Sequence, residues 1–147
     1  MYRRNGEALE LFLVHPGGPY WAKKDEGVWS IPKGLFDPET EPPLDAAKRE
    51  FNEETGCSVV GAFIPLDTLQ QPSGKIIHAW AIAGNCDAAP IKSNTFAMEW
   101  PPRSGKQSEF PEIDRAGWFT VDTARKKLLK GQTGFIDRLL EKLKEGE

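Results

Sequence analysis

Cysteine, histidine, methionine and tyrosine are scarce here, with two of each in 147 residues. Cys57 and Cys86 are too few for a disulfide scaffold, and with only His15 and His78 beside them they make no four-ligand zinc site. A reduced, cytoplasmic setting is the expectation. Long apolar runs are also missing. The longest, such as residues 11–14, fall far short of the roughly 18 residues of a membrane helix, so no membrane partner is expected. The opening Met1-Tyr2-Arg3-Arg4-Asn5 is basic but has no apolar stretch behind it, so it is not expected to act as a secretory signal. An excess of positive charge is absent too. Nineteen Lys+Arg against 22 Asp+Glu leave a net charge of −3, which argues against a nucleic-acid polymer as partner. Averaged over the chain, the same balance argues against anionic ligands in general.

What is present is an ordinary globular composition, 39% hydrophobic and 28% charged, and the length predicts one domain over 1–147. Gly and Pro punctuate short elements without repeats or linkers. Residues 8–14 read as a buried strand closed by His15-Pro16-Gly17-Gly18, and residues 28–32 as a second short strand. Residues 44–55 form a helix, with Pro43 suited to its first turn, Leu44, Ala47 and Phe51 on one face, and Gly56 as its stop. Strands are expected over 58–64 and 75–82, joined through 65–74, and over 95–100, followed by a loop from 101 to 111. A short strand at 116–119 precedes helices at 122–130, with Asp122 as N-cap, and 135–143. Strands with inserted helices give an α/β or α+β class.

The helix at 44–55 is unusually acidic. Glu50, Glu53 and Glu54 stand at i, i+3 and i+4, so three carboxylates share one face. Like charges at that spacing repel by roughly 0.2–0.5 kcal/mol per pair. Glu53 and Glu54 also occupy the last turn, where the helix dipole disfavours acids by roughly 0.3–1 kcal/mol. A hard divalent cation removes both penalties. Arg49 is placed to pair with Glu53 one turn on or with Glu41 from the preceding loop. Gly34, upstream, lets a backbone carbonyl approach an ion closely.

The stretch from Gly34 to Cys57 resembles the Nudix box of the MutT/Nudix pyrophosphohydrolases. Arg49-Glu50-Phe51-Asn52-Glu53-Glu54-Thr55-Gly56-Cys57 matches its C-terminal half, and Glu41 keeps the usual distance to Arg49. Gly34 lies one residue too far from Glu41, so the loop holds one insertion. Trp29-Ser30-Ile31-Pro32-Lys33-Gly34 resembles the entry strand of the diadenosine-polyphosphate and MutT-like branches. Glu112-Ile113-Asp114-Arg115-Ala116-Gly117-Trp118-Phe119 resembles the strand before the closing helix. Chains of this family usually open with a strand ahead of the equivalent of residues 9–14; here either that strand is shortened or the start codon is late.

The resemblance implies the Nudix fold, a mixed β-sheet sandwiched between α-helices. It implies metal-dependent hydrolysis of a nucleoside diphosphate linked to another moiety. Glu50, Glu53 and Glu54, with the Gly34 carbonyl, would hold Mg²⁺, with Mn²⁺ as the alternative, and one glutamate would serve as base. Arg49 and Glu41 would orient the cluster. Glu99, Glu109 and Glu112 are candidates for a further carboxylate. Lys33 is placed to meet phosphate, and Arg103 and Lys106 to clamp the outer phosphates of a long polyphosphate. Trp29 and Trp80 lead the candidates for stacking on a base, with Trp21 and Trp100 beside them.

Branch similarity favours a diadenosine polyphosphate, cut asymmetrically so that the tetraphosphate gives ATP and AMP. Against it, Ala79 stands where that branch commonly has tyrosine. A nucleoside triphosphate, plain or oxidised, is the alternative within the class, and a nucleotide-sensing module without catalysis the alternative outside it. Either way the partner is a small nucleotide. The acids that argued against anions are gathered on one helix face, where they would collect the cations a polyphosphate needs. Oligomeric state is not legible.

Overall fold

The computed structural model describes residues 1–33, 39–87 and 93–145. Among them are β1 (Tyr2–Asn5), β2 (Ala8–Pro16), α1 (Pro43–Thr55), β3 (Ile64–Gln70), β4 (Ile76–Ala81), β5 (Thr95–Glu99), β6 (Gln107–Pro111), β7 (Ile113–Thr120), α2 (Val121–Lys127) and α3 (Gly134–Glu145). β2 is the organising strand. Its neighbours β1 and β7 pair with it antiparallel, giving the order β1-β2-β7. A parallel bridge, Tyr2 to Ala83, ties β1 to the chain leaving β4, so parallel and antiparallel pairings mix.

The four successive apolar residues Leu11 to Val14 of β2 are buried on both faces. Leu11 and Leu13 join Phe135, Ile136 and Leu139 of α3 in one core cluster. Phe12 and Val14 turn the other way, toward Phe51 of α1, Cys86 and Ile113. Strand alternation thus puts α1 on one side of the sheet and α3 on the other. This is the expected sandwich. α1 ends at Gly56, whose φ of 75° is the left-handed cap that glycine adopts freely, with its N–H on the Asn52 carbonyl.

Several expected elements are displaced. Residues 58–64 are not a strand: Val59 packs beside Phe12 and Phe51, Val60 points to solvent, and β3 begins at Ile64. Its pairing with β4 slips between Pro65 and Thr68, with Asp67 at φ 60°. The bulge accommodates a proline that has no N–H to donate. Arg138 Nη1 closes it by donating to the carbonyls of Leu66 (2.9 Å) and Thr68 (2.7 Å). Residues 28–32 contribute only isolated bridges, Val14–Ser30 and Trp29–Leu128. The expected loop 101–111 includes β6, which pairs with β5 as a hairpin; Phe96 faces Phe110, with Arg103 and Gly105 left-handed at the tip. Thr120, not Asp122, caps α2.

The cysteines also depart from the reduced state expected of them. Cys57, one residue past the helix cap, is bonded to Cys86, with Cα atoms 6.1 Å apart. Two cysteines 29 positions apart carry no sequence signal for pairing; the sheet brings them together. No helix among the described residues is long and apolar enough to cross a membrane.

Candidate active site

α1 presents Arg49, Glu50 and Glu53 as one group. Arg49 is the hub. Its Nε and Nη2 donate to the two oxygens of Glu41 at 2.9 and 2.8 Å, a bidentate fork that fixes the loop before the helix. Its Nη1 donates to both oxygens of Glu53 at 3.1 Å and lies 3.0 Å from Glu50 Oε1. Both pairings considered for Arg49 are therefore made at once. The hydrogen bonds from Arg49 hold the Glu41 carboxyl below its usual range, and those to Glu41 and then Glu53 raise the guanidinium further.

Glu54 is set apart. Only 8% exposed, it accepts one hydrogen bond among the described residues, from the backbone N–H of Lys33 at 3.0 Å. Burial pushes its carboxyl up to about 8, with the negative charges of Glu50 and Glu112 adding to the rise. Burial also raises Glu50, helped by Glu53 and Glu112 and opposed by Arg49. Lys33 is lowered by its own burial and by Lys75, against the pull of Glu54.

Glu54 and Lys33 border a cleft of about 260 Å³. Lys33, Glu54 and Glu112 line its polar part, and Trp21, Val28, Ile31 and Leu129 its apolar part. Glu112 is thus the one of the three distal carboxylate candidates that meets the helix. Glu99 and Glu109 lie on the exposed face of the β5–β6 hairpin. Arg103 and Lys106 sit at the hairpin tip; Lys106 is six residues from Glu112, about 20 Å at the usual strand rise. Gly34 lies outside the described residues.

The tryptophans separate. Trp29 is buried at 4% exposure, its indole N–H bound to Asp25 Oδ1 at 2.7 Å, with Phe119 edge-on at 4.9 Å. Trp80 lines a different, apolar cleft with Ala47, Phe51 and His78. His15, which the sequence marks only as the close of a strand, is fully buried. Its Nδ1 lies 2.7 Å from Asp114 Oδ1 and its Nε2 2.7 Å from the Lys24 carbonyl. A histidine at the end of an apolar strand gives no hint of partners 9 and 99 residues away.

The donor set suits a hard cation. Carboxylates are the ligands such ions prefer, and Glu54 is a buried carboxyl with a single donor among the described residues, with the charges of Glu50 and Glu112 near it. Among the described residues, no three acids already converge closely enough to form a ready metal cluster. Arg49 occupies Glu53 and Glu50 in this arrangement.

A family model described as NUDIX domain matches residues 1–139. No curated protein matches the sequence significantly. Among solved structures, the NUDIX domain of Shewanella oneidensis NrtR, crystallised with ADP ribose, is 17% identical. It superposes with a TM-score of 0.65 over 97% of this chain and 82% of that one. A Nudix hydrolase from M. smegmatis, RenU, is also 17% identical, with a TM-score of 0.50 over 98% of this chain and 82% of its own. At that identity the neighbours establish the fold, and the family match covers nearly the whole chain together with the Arg49-Glu50-Glu53-Glu54 set. The chain belongs to the Nudix family of pyrophosphohydrolases.

Proposed function

We propose that the chain hydrolyses a nucleoside diphosphate linked to another moiety, with a diadenosine polyphosphate as substrate and Mg²⁺ as cofactor. The observation that carries the reading is the buried Glu54 carboxyl beside Lys33 and Glu112, on a helix whose Arg49 organises Glu41, Glu50 and Glu53. Glu50, Glu53 and Glu54 would hold the metal, with Glu112 the added carboxylate. A bound divalent cation neutralises phosphate charge and activates water for attack on phosphorus. The protein's part is placement. Arg49 keeps the carboxylates from splaying, Lys33 meets a phosphate oxygen, and the apolar part of the cleft shields the reaction from bulk water.

The long substrate is favoured by Arg103 and Lys106. A basic hairpin tip about 20 Å along the strand from Glu112 suits a ligand that extends well beyond one nucleotide. ADP-ribose, the ligand of the S. oneidensis neighbour, is itself a nucleoside diphosphate linked to another group and belongs in the same test. That test is a panel of diadenosine polyphosphates, nucleoside triphosphates, oxidised dNTPs and ADP-ribose with Mg²⁺, products resolved by chromatography. Diadenosine tetraphosphate should yield ATP and AMP. Glu54→Gln should lower turnover at least about a hundredfold, as loss of a charge-stabilising group does, with unchanged circular dichroism. Turnover that survives EDTA, or full activity in Glu54→Gln, would overturn the metal assignment. A wild-type protein that cleaves nothing in the panel would overturn the reading.

A further inference from the structure

Five tryptophans compete for the role of base platform, and packing removes four. Trp29 is in the core with its N–H satisfied by Asp25. Trp118 donates to the Cys86 carbonyl at 2.9 Å and meets Phe12 edge-on, with the Arg3 guanidinium 4.1 Å from its ring centroid. Trp80 lines the cleft beside Phe51, not the one that Glu54 lines. Trp100 packs edge-on against Tyr20, 5.4 Å between centroids, at the base of the hairpin tip.

Trp21 is different. It is 38% exposed and lines the same cleft as Lys33, Glu54 and Glu112. The segment that carries it is fastened rather than loose. Gly17 N–H donates to the Glu112 carbonyl at 2.8 Å, Trp21 N–H to the Gly18 carbonyl at 3.2 Å, and Lys24 N–H to the Trp21 carbonyl at 2.9 Å. The Lys24 carbonyl is in turn held by the buried His15. Lys24 Nζ stands 5.1 Å from the Trp21 ring centroid. A large flat ring left open to solvent on a pinned segment, beside a charged site, is preorganised to take a flat apolar partner.

We propose that Trp21 is the platform on which the planar base of the substrate stacks, while its phosphates turn toward Lys33, Glu54 and Glu112. The assignment rests on the nucleotide reading above and names the residue that recognises the base. Tyr20 and Trp100 act behind it, bracing the Trp21 segment against the β5–β6 hairpin.

The test uses ¹⁵N-labelled full-length protein, with the Trp21 indole signal identified by its loss in Trp21→Phe. AMP should shift that signal, and ribose 5-phosphate, which has the phosphate but no base, should leave it in place. In turnover, Trp21→Ala should raise KM about tenfold or more with kcat changed much less, the loss expected when one base–aromatic stack is removed. Trp21→Phe should restore most of the KM. A Trp21 signal unmoved by AMP while amides near Lys33 shift would overturn the proposal, as would a KM unchanged in Trp21→Ala. If Trp21→Ala does not fold, the AMP titration of the wild-type protein decides. If the wild-type protein hydrolyses no nucleotide, the proposed activity falls, and the AMP titration still decides the role of Trp21.

Discussion

Gly17 and Glu112, 95 residues apart in sequence, are joined by a 2.8 Å backbone hydrogen bond in which the Gly17 N–H donates. The contact leaves no room for a side chain: a Cβ on Gly17 would stand 1.9 Å from the Pro111 carbonyl oxygen. One glycine thus sets the distance between the segment carrying Trp21 and the acid that faces Glu50 and Glu54. Gly17→Ala should destabilise the fold by about 1–3 kcal/mol, the usual cost of overpacking. It should also lower activity by more than that loss of stability explains, because Glu112 moves. Thermal melting and kcat measured below the melting range check both parts; an active, fully stable variant would contradict them.

The Arg49 hub predicts a different signature. Lysine keeps the charge but cannot bridge Glu41 through two parallel N–H donors while also reaching Glu53 and Glu50. Arg49→Lys should therefore stay folded and lose activity by about 10–100-fold, the scale seen when residues that orient metal ligands are changed. Glu41→Gln, which weakens the fork without removing it, should lose less. Equal activity in the arginine and lysine forms would show that the fork has no orienting role.

Glu54 makes metal-free stability depend on pH. Its carboxyl titrates near 8 in the folded chain, against an ordinary value of 4.5, because burial disfavours the charge. Between those values the folded protein holds a proton that the unfolded chain has released. Stability without metal should therefore fall as pH rises from about 4.5 to about 8. Glu50, also raised by burial, acts in the same direction. A divalent cation bound to the carboxylates should reverse the trend, raising Tm more at pH 8 than at pH 5. Melting curves in EDTA and in Mg²⁺ at the two pH values test this, and an equal cation effect at both would refute it.

The Cys57–Cys86 bond closes a 29-residue separation that contains the whole β3–β4 hairpin. Loop-closure entropy assigns such a cross-link about 3–4 kcal/mol of stability. Reduction by dithiothreitol, or Cys57→Ser, should lower the denaturation free energy by that order, read from urea unfolding. A loss below about 1 kcal/mol would mean that the loop is already ordered in the unfolded ensemble.

Legibility followed the range of the interactions. α1 could be read because proline, glycine and its apolar stripe act within a few residues, and its acid spacing follows from the helix period. The β2 strand could be read because the four successive apolar residues Leu11 to Val14, closed by His15-Pro16-Gly17-Gly18, leave little choice but burial. β3 could not be placed: Val59 and Val60 carry strand composition, yet the strand starts at Ile64, where a bulge and the distant Arg138 accommodate Pro65. β6 was hidden because a strand exposed on one face, with Gln107 and Glu109 outward, looks like loop until it meets Phe96.

Scarcity of cysteine was the first feature of this sequence, and it shows the boundary best. Two thiols exclude a scaffold by counting alone, and helix geometry alone puts Glu50, Glu53 and Glu54 on one face within reach of Arg49; both depend on covalent order and local period. Whether Cys57 meets Cys86, which of three acids faces Glu54, and which tryptophan borders the cleft depend on contacts between segments 30 to 100 residues apart. Those are set by how β2 divides its two faces between α1 and α3, and packing of that kind exists only once the chain has folded.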